Sequence, residues 1–469
     1  MLYLTAGVIK NGGTDLKVGF LSLGCKVNYY ETEKMKQQFE EAGYQAVSFE
    51  EEADIYIINT CTVTNIADRK SRKMLHRARR NNRDAIVVAA GCYTDSARRK
   101  MDGIGKTGEK AGVEADLHTF VDLFIPNAEK DKLLEKVEIL LQERQAAGLA
   151  AGTGKGEAAK KHTRAYMKVQ DGCRQYCTYC IIPYVRGPLK SRAAKDVVKE
   201  AAQLAAEGVR EVVITGIHLS SYGVDFTDKK SFTDLEGKLL LGLLSAVAEV
   251  EGIARIRLGS LEPRVITEGF VKELCRIPKV CPHFHLSLQS GCDATLRRMN
   301  RHYTADEYLD CVRLLRDYFK TPAVTTDVIV GFPQETQEEF EATCNFVKRA
   351  AFSQMHVFKY SRRHGTMADA MEGQVAEQVK AERSSILIAA GRELEKRYQE
   401  ALYGTEEKVL FEEIVQVGGA NYLVGYSERY VRVAVKAEGI HNAEEFCNTV
   451  GSVCITGRLA GEVLEGELR

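Results

Sequence analysis

Asp171-Gly-Cys-Arg-Gln-Tyr-Cys-Thr-Tyr-Cys180 places three cysteines, Cys173, Cys177 and Cys180, in a C-x3-C-x2-C run. Three thiolates this close together select a soft metal. A structural zinc site closes with four ligands, so three leave it one short. An iron–sulfur cluster held by three cysteines keeps one iron open to a further ligand. The competing account is a zinc knuckle whose fourth ligand lies elsewhere. Zinc knuckles usually carry paired C-x2-C spacings, and no second pair is present.

Outward from this run, the middle of the chain offers six strand candidates, each followed by helical sequence. They are Ala165–Gln170, Glu211–Thr215, Arg255–Leu258, His283–Leu288, Val324–Val330 and Met355–Tyr360. Repeated β–α units predict a parallel sheet. Chemistry in barrel-type sheets gathers at the C-terminal strand ends, and the cysteine run follows the first candidate strand directly. Residues 145–161, mostly Ala, Gly and Lys, read as a linker. From about Tyr403 the pattern changes to short strands between Gly and Asn: Lys408–Phe411, Tyr422–Gly425, Tyr430–Val435 and Ser452–Thr456. That predicts a small β-barrel over 403–469.

The N-terminal part, 1–144, repeats another pattern. Val18–Gly24 runs into Cys25, Ile55–Thr60 into Cys61, and Ile86–Gly91 into Cys92. Each is an apolar strand ending at a cysteine. In a parallel sheet all three thiols emerge at one edge, where they converge despite their separation in sequence. A second three-cysteine cluster is expected there. The alternative is that cysteine is simply a small apolar residue suited to strand ends. Cys275, Cys281, Cys292, Cys311, Cys344, Cys447 and Cys454 show no ligand spacing and are assigned to packing.

The composition sets outer bounds. A chain of 469 residues suggests about three domains. Lys and Arg together number 65, as do Asp and Glu, so any basic surface must be local. Thirteen cysteines without a signal peptide point to metal chemistry in a reducing cytoplasm rather than disulfides. No apolar run is long enough to span a membrane, and residues 1 to about 15 read as an extension.

Several segments together resemble the radical S-adenosylmethionine (SAM) methylthiotransferases, over nearly the full length from about residue 17. They are Leu23-Gly-Cys-Lys-Val-Asn, Ile58-Asn-Thr-Cys-Thr-Val-Thr-Asn, Ala90-Gly-Cys, Gln170-Asp-Gly-Cys through Pro183-Tyr-Val-Arg-Gly, Leu286-Ser-Leu-Gln-Ser-Gly-Cys, Met299-Asn-Arg-His-Tyr-Thr, Thr326-Asp-Val-Ile-Val-Gly-Phe-Pro and Tyr360-Ser-Arg-Arg-His-Gly-Thr. The resemblance implies an α/β fold in three parts. These are an N-terminal parallel-sheet domain, a central partial (βα)6 radical SAM barrel over 162–402, and a C-terminal TRAM-like β-barrel. It implies two [4Fe–4S] clusters, one on Cys173, Cys177 and Cys180 that cleaves SAM, and an auxiliary one on Cys25, Cys61 and Cys92. It implies SAM contacts at Tyr179, Gly216, Ser260, Glu262, Gln289 and Glu335, although Gln334 stands where a glycine is frequent. The implied partners are tRNA and a low-potential electron donor such as flavodoxin or ferredoxin.

Within that family, Cys25-Lys-Val-Asn-Tyr-Tyr-Glu and Thr62-Val-Thr-Asn-Ile-Ala-Asp-Arg-Lys-Ser-Arg resemble the branch acting on N6-threonylcarbamoyladenosine beside the tRNA anticodon. The alternatives are isopentenyladenosine in tRNA, a ribosomal protein side chain, or a non-enzymatic metal-containing RNA-binding protein. Arg69 to Arg80 carries seven Lys or Arg in twelve residues. On a helix, Ala67, Ser71, Met74, Leu75 and Ala78 form a narrow buried stripe. Arg69, Lys70, Arg72, Lys73 and Arg77 are then phosphate-contact candidates, against the ordinary alternative of a solvated charged face. The C-terminal barrel has six Lys or Arg against eleven Asp or Glu. Only a local surface of Tyr422, Tyr426, Arg429, Tyr430 and Arg432 would suit RNA there, and a strand with one core face explains the same alternation.

Overall fold

Apolar runs of alternating face make the strands of the first sheet. In the computed structural model, which describes residues 16–101, 119–146, 163–227, 234–440 and 442–469, the chain divides into two units, Met1–Lys160 and Lys161–Arg469. The expected extension lies outside the described residues. So does the expected linker, apart from its first two residues, which end the helix Leu133–Ala146.

The first unit holds β1 (Lys17–Ser22), β2 (Gln45–Ser48), β3 (Ile55–Thr60), β4 (Ile86–Gly91) and β5 (Leu123–Ile125), all parallel, in the order β2-β1-β3-β4-β5. Side chains alternate across the sheet. Ile55, Ile57, Ile86 and Val88 pack with Met35, Phe39, Leu133 and Val137 on one face. Tyr56, Ile58, Val87 and Ala89 pack with Leu75 and Ala78 on the other. Helices therefore cover both faces. The strand order reverses between β1 and β3, and in such open sheets ligands bind beyond the carboxyl ends of the strands at that switch point.

The second unit contains β6 (Arg164–Asp171), β7 (Lys190–Ser191), β8 (Glu211–Gly216), β9 (Arg255–Leu258), β10 (Ser260–Leu261), β11 (His283–Leu286), β12 (Ala323–Val330) and β13 (Gln354–Lys359). Apart from the short antiparallel β7, neighbouring strands run parallel, in two four-stranded sheets of order β7-β6-β8-β9 and β10-β11-β12-β13, with a single parallel bridge from Ile256 of β9 to Val280. β9 and β10 are one strand position broken at Gly259. Six strand positions with intervening helices make the expected partial barrel. Two of its helices start at complete capping boxes, Thr304 with Glu307 and Thr336 with Glu339, which satisfy the open N–H groups of the first turn.

β14 (Glu406–Val417), β15 (Ala420–Ser427), β16 (Arg432–Lys436), β17 (Val450–Ala460) and β18 (Val463–Leu468) close a small barrel. Tyr430, expected to open a strand, instead sits in a turn with φ of 63°. Arg255 donates to the carbonyls of Tyr426 and Lys408, and Arg257 to that of Glu428. The small barrel is thereby fixed to β9. Gln334, standing where a glycine is frequent, adopts φ of 65°. This is the left-handed conformation that glycine enters without penalty, and the Gln334 N–H is held there by the Gly373 carbonyl at 2.8 Å.

Candidate active site

In the first unit Cys25, Cys61 and Cys92 follow β1, β3 and β4, three adjacent strands. Cys25 is the residue before the helix Lys26–Glu41, and Cys92 opens the helix Cys92–Met101. Burial and then repulsion from Cys92 and Cys25, opposed by the Val63 backbone N–H, push the Cys61 thiol up to about 11. Cys25 and Cys92 are thus both near the Cys61 sulfur. The backbone makes room for them: a Cβ on Gly24, whose φ is 99°, would stand 2.6 Å from Cys61 Sγ.

Polar side chains hold this edge. Asn28 Nδ2 donates to the carbonyls of Leu23 and Thr60, and Asn59 Nδ2 donates to the Asn28 carbonyl. Asn127 Nδ2 reaches Cys92 Sγ at 3.4 Å. Asn28 and Asn59 lie inside the quoted segments and Asn127 does not; no role is legible for them in sequence, because the bonds to Thr60, Asn28 and Cys92 span about thirty residues.

In the second unit Cys173, Cys177 and Cys180 occupy the loop after β6. The loop turns at Gly172, where a Cβ would lie 2.0 Å from the Pro188 carbonyl oxygen. It is clamped by the segment after the helix Asp293–Arg298. Thr178 donates its N–H to the Met299 carbonyl and its hydroxyl to that of Arg298. Asn300 Nδ2 donates to the carbonyls of Gln175 and Tyr176. Burial and Cys177 push the Cys173 thiol up to about 11, opposed by the Gln175 N–H and Arg301. Burial and Cys177 push Cys180 well above the ordinary thiol range.

Both donor sets suit an iron–sulfur cluster. Thiols that resist ionisation when crowded and buried are ionised by a bound metal, which supplies the missing positive charge. Among the described residues, no three His, Cys, Asp or Glu side chains close on a single metal ion. N–H donors on Cys92 and Cys177 sulfurs are also of the kind that tunes such clusters.

The other sequence-derived residues divide. Tyr179 packs edge-on to Phe332 beside the loop. Gly216 ends β8, where a Cβ would press on Gln170 at 2.8 Å. Ser260 is exposed at the start of β10. Glu262 is buried, accepts from Arg264 Nε at 2.8 Å and takes its backbone N–H to Ser220 Oγ. Gln289 has φ of 69° and is bonded by its backbone to Asp327 and Ile329 of β12. Glu335 is engaged elsewhere: it accepts from the Gly331 N–H and from Arg383, and so ties the turn after β12 to the helix Glu377–Glu400. His218, beyond β8, was not singled out. Burial and the charges of Arg301 and Arg264 bring it down to about 3, so it is a neutral imidazole, with Nδ1 on Ser221 Oγ.

The basic run forms the helix Asn65–Asn81, with Ser71, Leu75 and Ala78 buried and Ala67 and Met74 packed beside them. Arg69, Lys70 and Lys73 are exposed. Arg72 lies on the Tyr93 ring and Arg77 pairs with Glu50. In the small barrel, Tyr422 is buried, Tyr426 and Tyr430 stack on each other, and Arg429 is bound to Glu407. Those side chains are occupied internally, which favours the core-face account of that alternation over an RNA surface.

Six strand positions in parallel sheets, with a C-x3-C-x2-C loop after the first of them, define the radical SAM class. The radical SAM superfamily model matches residues 167–347, and that of Uncharacterized protein family UPF0004 matches 17–108. The chain is 40% identical over 428 residues to threonylcarbamoyladenosine tRNA methylthiotransferase MtaB of Bacillus subtilis (strain 168), covering 89% of this chain and 90% of that one. It is 36% identical over 434 residues to the protein of the same name in Aquifex aeolicus (strain VF5), covering 90% and 100%. It is 34% identical over 401 residues to tRNA-2-methylthio-N(6)-dimethylallyladenosine synthase of Moorella thermoacetica, covering 84% and 86%. A solved radical SAM methyltransferase, TsrM of Kitasatospora setae with cobalamin and a [4Fe-4S] cluster bound, aligns with a TM-score of 0.50 at 16% identity, covering 75% and 77%; that likeness concerns the fold alone. The chain belongs to the radical SAM tRNA methylthiotransferase family. Its cofactors are SAM and two [4Fe–4S] clusters.

Proposed function

We infer that this protein transfers a methylthio group to C2 of N6-threonylcarbamoyladenosine next to the anticodon of tRNA. The observation that carries the reading is the pair of three-cysteine sets, each at the C-terminal edge of its own parallel sheet, in a chain aligned over 89–90% of its length with relatives named for that reaction. An aromatic C–H is too weak an acid for side-chain bases near neutral pH. The cofactors supply the reactive species, and the protein supplies position and shielding. Cys173, Cys177 and Cys180 are assigned to the SAM-cleaving cluster, and Cys25, Cys61 and Cys92 to the auxiliary one. Tyr179, Gly216, Ser260, Glu262, Gln289 and Glu335 remain the proposed SAM contacts. Glu335 also holds the turn after β12 through Gly331 and Arg383.

The test is nucleoside mass spectrometry of bulk tRNA from a host lacking its own such enzyme, with and without this chain. A new 2-methylthio-N6-threonylcarbamoyladenosine peak is expected. A 2-methylthio-isopentenyladenosine peak would keep the chemistry and move the substrate to the other tRNA branch. No new tRNA nucleoside, from protein carrying both clusters, would point to a protein substrate.

The electron donor is proposed to be a flavodoxin or ferredoxin, since iron–sulfur potentials in this range need a low-potential source. The place of action is proposed to be the cytoplasm. Among the described residues no helix is long and apolar enough to cross a membrane. Arg69, Lys70 and Lys73, with Arg72 and Arg77 beside them, are proposed to contact tRNA phosphates. Replacing Arg69, Lys70, Arg72 and Lys73 together is expected to weaken tRNA binding. It should also flatten the salt dependence by about 0.7–0.9 of a logarithmic slope unit per lost contact. An unchanged slope would return the helix to a solvated face.

A further inference from the structure

Arg301 lies in the segment Met299-Asn-Arg-His-Tyr-Thr that clamps the Cys173–Cys180 loop, and it is almost wholly buried, at 8% exposure. Its guanidinium has four hydrogen-bond contacts. Nε donates to Tyr303 Oη at 3.0 Å, and Nη1 to Gln175 Oε1 at 3.2 Å and to Cys177 Sγ at 3.3 Å. Nη2 donates to the Ser287 carbonyl at 3.4 Å. The guanidinium also lies over the Tyr303 ring, 4.9 Å from its centroid. Every oxygen in that set is neutral, and no described carboxylate forms an ion pair with it. Arg257 and Arg383, which are also deeply buried, pair with carboxylates, Glu211 and Glu335.

A guanidinium taken out of water costs several kcal/mol unless an anion compensates it. Of the groups bonded to Arg301, Cys177 is the one that a metal cluster makes an anion, as a thiolate. A four-iron cluster on three thiolates is anionic, and becomes more so when it accepts an electron. A fixed cation against one of its sulfurs therefore stabilises the reduced form more than the oxidised form.

We propose that Arg301 is a positioning residue for the SAM-cleaving cluster: its guanidinium, bonded to Cys177 Sγ, is the cluster's built-in counter-charge and raises its reduction potential. The proposal rests on the assignment of Cys173, Cys177 and Cys180 to that cluster. Reduction moves one electron from an external low-potential donor to the cluster; the donor loses that electron, and no proton moves and no bond forms or breaks. Arg301 brings this first electron within reach of the donor. Gln175 and Tyr303 hold the fork in place, which is why a planar guanidinium with several fixed donors suits the position.

The test is an EPR-monitored redox titration with dithionite of the full-length chain. Cys25, Cys61 and Cys92 are replaced by alanine so that one cluster is observed. Arg301→Met and Arg301→Gln are expected to shift the reduction equilibrium at least tenfold toward the oxidised form, about 59 mV for one electron. Arg301→Gln retains a donor for Cys177 Sγ, so a shift as large as in Arg301→Met assigns the effect to charge. A loaded cluster in both neutral variants with an unchanged potential would overturn the proposal and make Arg301 only a loop clamp. Should the neutral variants not take up iron, Arg301→Lys decides: a shift of twofold or less supports the counter-charge, and a tenfold shift overturns it. Failure of the parent to load any cluster would instead overturn the cysteine assignment.

Discussion

Cys177→Ala is expected to abolish 5′-deoxyadenosine formation from SAM, whereas Cys61→Ala is expected to leave SAM cleavage measurable and to stop methylthio transfer. Cys177 is the shared member of its set: its charge acts on both Cys173 and Cys180, and it is the sulfur that Arg301 contacts. Alanine leaves two thiols and strands the buried guanidinium. The loss of SAM cleavage should be at least about a thousandfold, which corresponds to about 4 kcal/mol on the barrier. Cys61 belongs to the sheet of the first unit, where its sulfur is grouped with Cys25 and Cys92. Its removal leaves the loop after β6 untouched. Iron content separates the cases: about eight irons per chain in the parent, for two four-iron clusters, and about four in each variant. Full methylthiolation by Cys61→Ala would sink the assignment of two clusters. Loss of SAM cleavage in a folded Cys61→Ala chain that still holds four irons would mean the division of labour is wrong.

The cysteines were legible because parallel topology does the work of bringing them together. An apolar run followed by a cysteine, repeated on neighbouring strands, converges at one sheet edge whatever its spacing in sequence. Ile55–Thr60 and Ile86–Gly91 were readable to the residue for the same reason: both faces of those strands are buried, so the apolar run is continuous. The edge strands Gln45–Ser48 and Leu123–Ile125 are short and mixed in burial, and gave no such signal. Val463–Leu468 was missed because its glutamates and glycine interrupt the apolar pattern, although barrel closure depends on it. Arg301 and Asn300 lay inside a recognised segment, but their roles depend on reaching a loop more than a hundred residues earlier. Arg72 and Arg77 show the converse. Charge density marked them, but their partners Tyr93 and Glu50 come from outside the helix.

Glu211→Gln is expected to destabilise the second unit by about 3–5 kcal/mol, the usual cost of breaking a buried ion pair from one side. Glu211 opens β8 and is fully buried. It accepts from Arg164 Nε at 2.7 Å and from Arg257 at 2.7 and 3.2 Å, with Arg255 at 3.7 Å. Arg164 also pairs with Glu412 of β14, Arg164 and Arg257 face the Tyr430 ring, and Arg255 and Arg257 bond carbonyls of the small barrel. One carboxylate thus neutralises the guanidiniums that fasten the small barrel to the parallel sheet. Glutamine keeps the shape and removes the charge, which leaves buried cations facing each other. Burial alone would raise the Glu211 carboxyl, yet Arg257 and then Arg164 overcome it and hold it at about 2. Its folded value is therefore below its unfolded one. The stabilisation is present above the unfolded value near 4.5 and is lost as pH falls toward 2. At about 1.4 kcal/mol per pH unit, that window is worth about 3 kcal/mol. Chemical denaturation of the full chain should then show the parent losing that much more stability than Glu211→Gln between pH 5 and 2, with the two curves converging in acid. A variant equal to the parent at pH 7 would mean that the guanidiniums reach other counter-charges, and that the small barrel is fastened by packing rather than by this carboxylate.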